Sequence, residues 1–366
     1  MSVLLRDIIQ VIENFAPRIY QESYDNSGLL YGRPEMPIHG ALLTLDCTEA
    51  VIDEAIAKNC NLIIAHHPIV FKGLKSFTGK NYVERTLLKA IENKIAIYAC
   101  HTNLDKVKGG VSFEMANRLG LLDTQLLKAE SGHLNKLVTY IPPSHADLLR
   151  EALAAAGAGQ IGNYDSCSFS SIGEGRFRAN ENAQPFVGNK GDLHTEKEEK
   201  VEVLVDNARL ATVIAAMHAN HPYEAPAYEI YPLKNEFAEV GLGVIGVLAE
   251  PLDEKSFLAH LKDVFQLKTL RHTPFLNKTV QKVALCGGSG SFLIENAKSA
   301  KADVYVTADI KYHEFFDADN QLLLADIGHF ESEQYTSAIF ERIIREKFPI
   351  FALQISSINT NPINFL

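Results

Sequence analysis

No run of about 18 apolar residues occurs in this 366-residue chain, so the sequence offers no helix to span a bilayer. No two cysteines stand at CxxC spacing. The five present (Cys47, Cys60, Cys100, Cys167, Cys286) are scattered and odd in number. Such usage reads as reduced thiols in a cytosolic protein, and Cys47, Cys60, Cys100 and Cys286 beside apolar segments read as small core residues. Positive charge is in deficit: 35 Lys+Arg against 45 Asp+Glu leave a net charge of −10. That balance argues against broad binding to nucleic acid or to an anionic membrane. A secretory leader is not expected, because Asp7 and Glu13 interrupt the apolar N-terminal stretch. Core-forming residues are plentiful: 46% are hydrophobic, which excludes a disordered chain, and the length predicts two domains or three.

Apolar residues at helical spacing predict a helix over 4–15 that Pro17 stops. Short strands apolar on both faces follow at 41–45, 61–65 and 95–99, alternating with helices near 49–58, 82–93 and 111–119. That alternation predicts a parallel sheet covered on both sides. The middle of the chain reads differently. Strand, helix and strand at 137–172 are followed by a polar, Gly/Asn-rich stretch at 173–200, and then by the same order at 201–232. Two such units in tandem predict a split βαβ, ferredoxin-like domain, with the EKEEK run at 196–200 as a solvated loop. From about 240 the α/β pattern resumes. The fold expected is therefore α/β: a three-layer domain with a parallel or mixed sheet, built from 1–126 and 239–366, with an inserted α+β domain at 127–238.

Ligands in open α/β sheets bind beyond the carboxyl ends of the strands. Those ends carry His66-His67, then the HTNLD run His101 to Asp105, then the GHFESE run that holds His329 and Glu333. Asp46, the GGSG turn at 287–290, Asp309 and His313 follow other strands. His, Asp and Glu together suit divalent transition metals. Adjacent histidines in an extended segment point to opposite sides and so would serve two neighbouring ions. His329 and Glu333, at i and i+4, share a helix face, where a carboxylate can sit between two cations. Each piece also has a plain reading. His66 and His67 would be satisfied by backbone carbonyls, Asp105 would cap a helix, and Glu333 would complement a helix dipole. The GGSG turn is either a phosphate cradle or a tight turn, and it lacks the Lys-Ser/Thr of a P-loop. His101 and His313 are candidates for acid/base work or for structural roles. Asp25, Asp46, Asp309 and Glu331 are further carboxylates that sequence alone cannot rank.

The blocks AHHPIVFKG (65–73), HTNLD (101–105), GGSG (287–290) and GHFESE (328–333) resemble the family labelled GTP cyclohydrolase 1 type 2 homologue, also called Nif-three-like. The middle segment, with GEGRFR (173–178) and PFVG (185–188), is similar to the PII/CutA-type insert of longer bacterial members. The resemblance implies two divalent cations per chain, of zinc, iron or manganese. His66 and Asp105 would hold one, His67 and His329 the other, and Glu333 would bridge both. It also implies a homo-hexameric ring with sites facing an internal cavity. Two functions follow as expectations. One is a di-metal hydrolase acting on GTP or a related nucleotide, with His101 or His313 moving the proton. The other is a non-enzymatic metal-handling or regulatory assembly whose insert senses a small ligand.

Overall fold

The computed structural model describes residues 3–366 and divides into two compact units, one made of the chain up to Ala129 and from Ala238 onward, the other of Glu130–Phe237. Among the described residues no helix is long and apolar enough to cross a membrane. All five cysteines are free, and Cys47, Cys60, Cys100 and Cys286 are buried.

The larger unit holds two main sheets where the sequence pattern predicts one. The first orders its five strands Leu353–Ile355, Ala41–Thr44, Leu62–Ala65, Ala96–Ala99, Gly28–Tyr31. The first four run parallel and Gly28–Tyr31 antiparallel. The central segments ALLT, LIIA and AIYA are buried along their whole length, as strands covered on both faces must be. On one face lie helices Glu49–Ala57 and Tyr82–Glu92, started by Thr48 and Asn81, whose side chains accept from Val51 N and Glu84 N.

The second sheet has six strands in the order Arg271–His272, Leu323–Asp326, Val304–Ala308, Thr279–Ser289, Glu236–Asp253, Leu122–Ser131. Three of them, Thr279–Ser289, Val304–Ala308 and Leu323–Asp326, are parallel, and antiparallel neighbours flank this trio. The mixed pairing fits the expectation of a parallel or mixed sheet; the division into two follows from Gly28–Tyr31 and Leu353–Ile355 forming the two edges of the first sheet, neither pairing with a strand of the second.

The smaller unit runs strand, helix, strand, strand, helix, strand. Its antiparallel sheet orders Tyr228–Pro232, Leu134–Ile141, Leu193–Asp206, Ser168–Arg178. Helices Pro143–Ala155 and Leu210–Asn220 cover one face over Leu137, Val201 and Val203, the second helix burying Val213 and Met217 there. This is the connectivity of a split βαβ unit. The polar stretch at 173–200 is not a loop throughout. It supplies the ends of a long hairpin, and residues 196–200 pair in register from Glu196↔Gly175 to Lys200↔Ser171. Alternation is hidden there because both faces carry polar groups with partners: Glu199 meets Arg150 on the helix side, and Glu198 meets Tyr223 on the other.

Candidate metal centre

Both sheets of the larger unit direct the carboxyl ends of parallel strands at one place. His66 and His67 follow Leu62–Ala65, and His101 follows Ala96–Ala99 and leads into helix Thr102–Lys106, which carries Asp105. From the second sheet, Leu323–Asp326 leads through Gly328 into helix His329–Glu333. Three groups of side chains result, each with ligand atoms close together: His66, Asp105 and Glu333; His67, His329 and Glu333; His66, His67 and His101. Glu333 belongs to the first two.

Each imidazole is held by its Nδ1. His66 Nδ1 donates to the carbonyl of Cys100 at 2.8 Å. His67 Nδ1 lies 2.7 Å from Asp46 Oδ1, His329 Nδ1 lies 2.6 Å from Asp309 Oδ2, and His101 Nδ1 lies 2.8 Å from Asp25 Oδ1. An acceptor on Nδ1 fixes the ring and leaves Nε2 as the ligating atom. The Nε2 atoms of His67 and His329 stand 2.9 and 3.0 Å from Glu333 Oε2. His66 Nε2 is 3.5 Å from Asp105 Oδ1 and 3.8 Å from Glu333 Oε1.

The decisive detail is that His66 Nε2 and Asp105 Oδ1 are buried and, among the described residues, have no hydrogen-bond partner. A carbonyl only accepts, so the neutral ring that ligates a metal keeps its proton on Nδ1 and turns the Nε2 lone pair toward two carboxylates. Acceptors converging without a donor are costly when buried, and a cation among them relieves that cost. The donor set of imidazole and carboxylate therefore fits a divalent metal. The electrostatics show how strongly these carboxylates attract positive charge, which protons on the imidazoles supply when no cation does. Burial pushes the Asp105 carboxyl up, against the pull of His66 and with the push of Glu333. Burial would also raise Glu333, but the imidazoles of His329, His66 and His67 hold it well below the usual carboxylate range. Burial works to lower both histidines, yet Asp46 and Glu333 take His67 up to about 9, and Asp309 and Glu333 take His329 up to about 11.

The sequence pattern brings most of the expected residues here, but not all. His313 lies exposed in the short helix Tyr312–Ala318, edge-on to Tyr312, and belongs to none of the three groups. The GGSG segment works by close approach: Gly288, at φ +61°, leaves room that a Cβ would take from Glu333 Oε1, and its N–H donates to Ser332 Oγ at 2.9 Å. Asp25, Asp46 and Asp309 each orient a histidine, whereas Glu331 accepts from Asn361 Nδ2 at 3.0 Å and touches none of the four. Two rings went unread in the sequence. Phe71 stands 6.3 Å from the His101 ring and Tyr24 another 6.3 Å from Phe71, and both are exposed. Asn26 Nδ2 donates to the Val70 carbonyl at 2.6 Å, which ties their two segments together.

The sequence pattern of the family described as Duf34/NIF3 (NGG1p interacting factor 3) matches residues 3–362. The chain belongs to that family. A protein of Halalkalibacterium halodurans called GTP cyclohydrolase 1 type 2 homolog is 40% identical over 364 residues, covering 98% of each chain. Its namesake in Bacillus subtilis is 38% identical, covering 100% of this chain and 99% of its own. A crystal structure of a Bacillus cereus protein related to NIF3 superposes with a TM-score of 0.87 at 37% identity, covering 100% of both chains. The two-sheet architecture is thus a Duf34/NIF3 architecture.

Proposed function

We propose that this Duf34/NIF3 protein is a cytosolic di-metal hydrolase acting on GTP or a related nucleotide by a cyclohydrolase-type attack of water. One observation carries the reading: two triads of ligand atoms share the buried Glu333, and one of them contains buried acceptors without a donor. In this assignment His66 and Asp105 hold one cation, His67 and His329 the other, and Glu333 both. When bound, a pair of divalent cations supplies positive charge that acidifies water toward neutral pH and offsets negative charge in the transition state.

The chain's own groups do the rest. His101 is not needed as a ligand in this scheme, and Asp25 holds its imidazole in place. Burial would raise the Asp25 carboxyl, but bonds from His101 and Thr102 keep it ionised far below its ordinary range. An imidazole held by a carboxylate at Nδ1 takes a proton at Nε2 and returns it from the same nitrogen. Exposed His313 has no part in the scheme. Phe71 beside His101, with Tyr24 next to Phe71, would pack on a flat base and shield it from water. The residues Glu130–Phe237 are taken as a PII/CutA-like insert, and the family relation favours a homo-hexamer, which light scattering on the purified protein would count.

The test is metal content per chain by elemental mass spectrometry on wild type and Glu333→Ala. About two metals in the wild type, falling to one or none in the variant, supports the bridged pair. Turnover of GTP above a chelated control, lost in His101→Ala with its metals retained, then supports the hydrolase. Bound metals that exchange freely to an acceptor protein without nucleotide turnover would move the reading to metal handling. A wild type that takes up no zinc, manganese or iron would end it.

A further inference from the structure

The smaller unit contains a cavity of about 580 Å³, built from groups that neither metal triad uses. Along Leu193–Asp206, Val201, Val203 and Val205 pack on the two helices. Glu198 and Lys200 have the opposite parity, turn to the uncovered face and line the cavity. The register places Ser171 opposite Lys200, Gly173 opposite Glu198 and Gly175 opposite Glu196. The floor is therefore a strip of backbone almost bare of side chains.

Glycine inside a strand weakens it, and often marks a place where a ligand comes close. Here the two glycines are used differently. A Cβ at Gly175 would collide with the Glu198 carboxylate, so that glycine makes room for the acid. A Cβ at Gly173 would meet nothing within 4 Å, so that position opens onto free space.

The walls are aromatic. Phe177 and Tyr223 have ring centroids 6.4 Å apart, and Tyr223 and Phe186 6.3 Å apart. Glu198 is only 8% exposed. Its Oε1 accepts from the Tyr223 hydroxyl at 2.8 Å, and among the described residues no donor reaches Oε2. A mostly buried carboxylate whose second oxygen opens onto a cavity, with no protein donor on it, is placed to take a donor from a ligand.

We propose that this cavity binds a flat heterocycle of the nucleobase type that presents adjacent N–H donors, as guanine does, to Glu198. The bare floor and the tilted rings suit a planar face, and the carboxylate suits an N–H edge. The volume takes a nucleoside. An organic cation would also satisfy Glu198, and binding of tetramethylammonium more tightly than guanosine would overturn the proposal. The site is independent of the metal-centre reading, and either can fail alone.

The test uses guanosine, measured by calorimetry and by saturation-transfer NMR on the full chain. Adenosine, whose N1 accepts instead of donating, is the comparison. Wild type should bind guanosine at least tenfold more tightly than adenosine, and Glu198→Gln should lose that preference. Gly173→Leu, whose side chain enters open space and leaves the backbone undisturbed, should abolish binding with the thermal transition retained. Glu333→Gln should bind guanosine as wild type does, which separates this site from the metal centre. No binding by wild type overturns the proposal, and so does binding unaffected by Gly173→Leu. A Gly173→Leu protein that changes its assembly mass also overturns it, because the face would then be a subunit interface.

Discussion

A methyl group at Gly288 would collide with Glu333 Oε1, and the residue sits at φ +61°, where side chains are strained. Gly288→Ala should therefore displace the one carboxylate common to both triads. The expected result is metal content reduced by at least half in elemental mass spectrometry, with a stability loss of about 1–2 kcal/mol from the left-handed backbone. Full metal content would mean that Glu333 is not the shared ligand. The same scale shows what sequence can and cannot reveal. That His66, His67, Asp105, His329 and Glu333 come together was legible because each lies at, or in the short helix just beyond, the carboxyl end of a parallel strand, and such ends converge in α/β sheets. The roles of Asp25, Asp46 and Asp309 were not. They act on histidines far along the chain (Asp25 on His101, Asp46 on His67, Asp309 on His329), and no local pattern encodes such a pairing.

Among the elements, the last strand and the tail beyond it connect the edge of the first sheet to the metal centre. Leu353–Ile355 pairs with Ala41–Thr44, and Glu54 then clamps the next residues, accepting from Ser357 N at 2.8 Å and Ser357 Oγ at 2.6 Å and pairing with Lys58. Farther on, Thr360 Oγ1 donates to Asp46 Oδ2 at 2.6 Å, and Asp46 in turn holds His67. Burial would raise Glu54, but Lys58, Ser356 and Ser357 bring it from 4.5 down to about 2. A carboxyl depressed on folding stabilises fully above its unfolded value and loses that stabilisation as pH falls through its folded value. Glu54→Ala should thus cost about 1–3 kcal/mol at neutral pH. In denaturant melts the gap between wild type and variant should narrow from pH 4.5 toward pH 2. A gap that stays constant over that range would show that Glu54 does not clamp the tail. Element boundaries were legible where strands are wholly apolar, as at Leu62–Ala65 and Ala96–Ala99. They were lost in Leu193–Asp206, whose two faces both carry ion-paired or hydrogen-bonded side chains and whose alternation therefore vanishes. The division into two sheets was equally hidden, because local periodicity marks a strand without saying which strands it pairs with.

At the scale of the whole molecule, the candidate metal centre draws on the larger unit alone, while Glu130–Phe237 carries its own apolar core around Leu137, Leu149, Val203 and Met217. A ligand that binds one folded unit stabilises that unit by mass action, by about 2.7 kcal/mol at a hundredfold excess over its dissociation constant, and leaves an independent unit unchanged. Calorimetric unfolding should then show two transitions. Chelation should lower the one belonging to the larger unit by several degrees and leave the other in place. Glu333→Ala should reproduce the effect of the chelator without adding to it, since both remove the same cations. Guanosine should do the reverse, raising only the transition that chelation leaves unmoved. A single transition shifted by both treatments would show that the two cores unfold as one, and that the inserted unit depends on the metal centre for its stability.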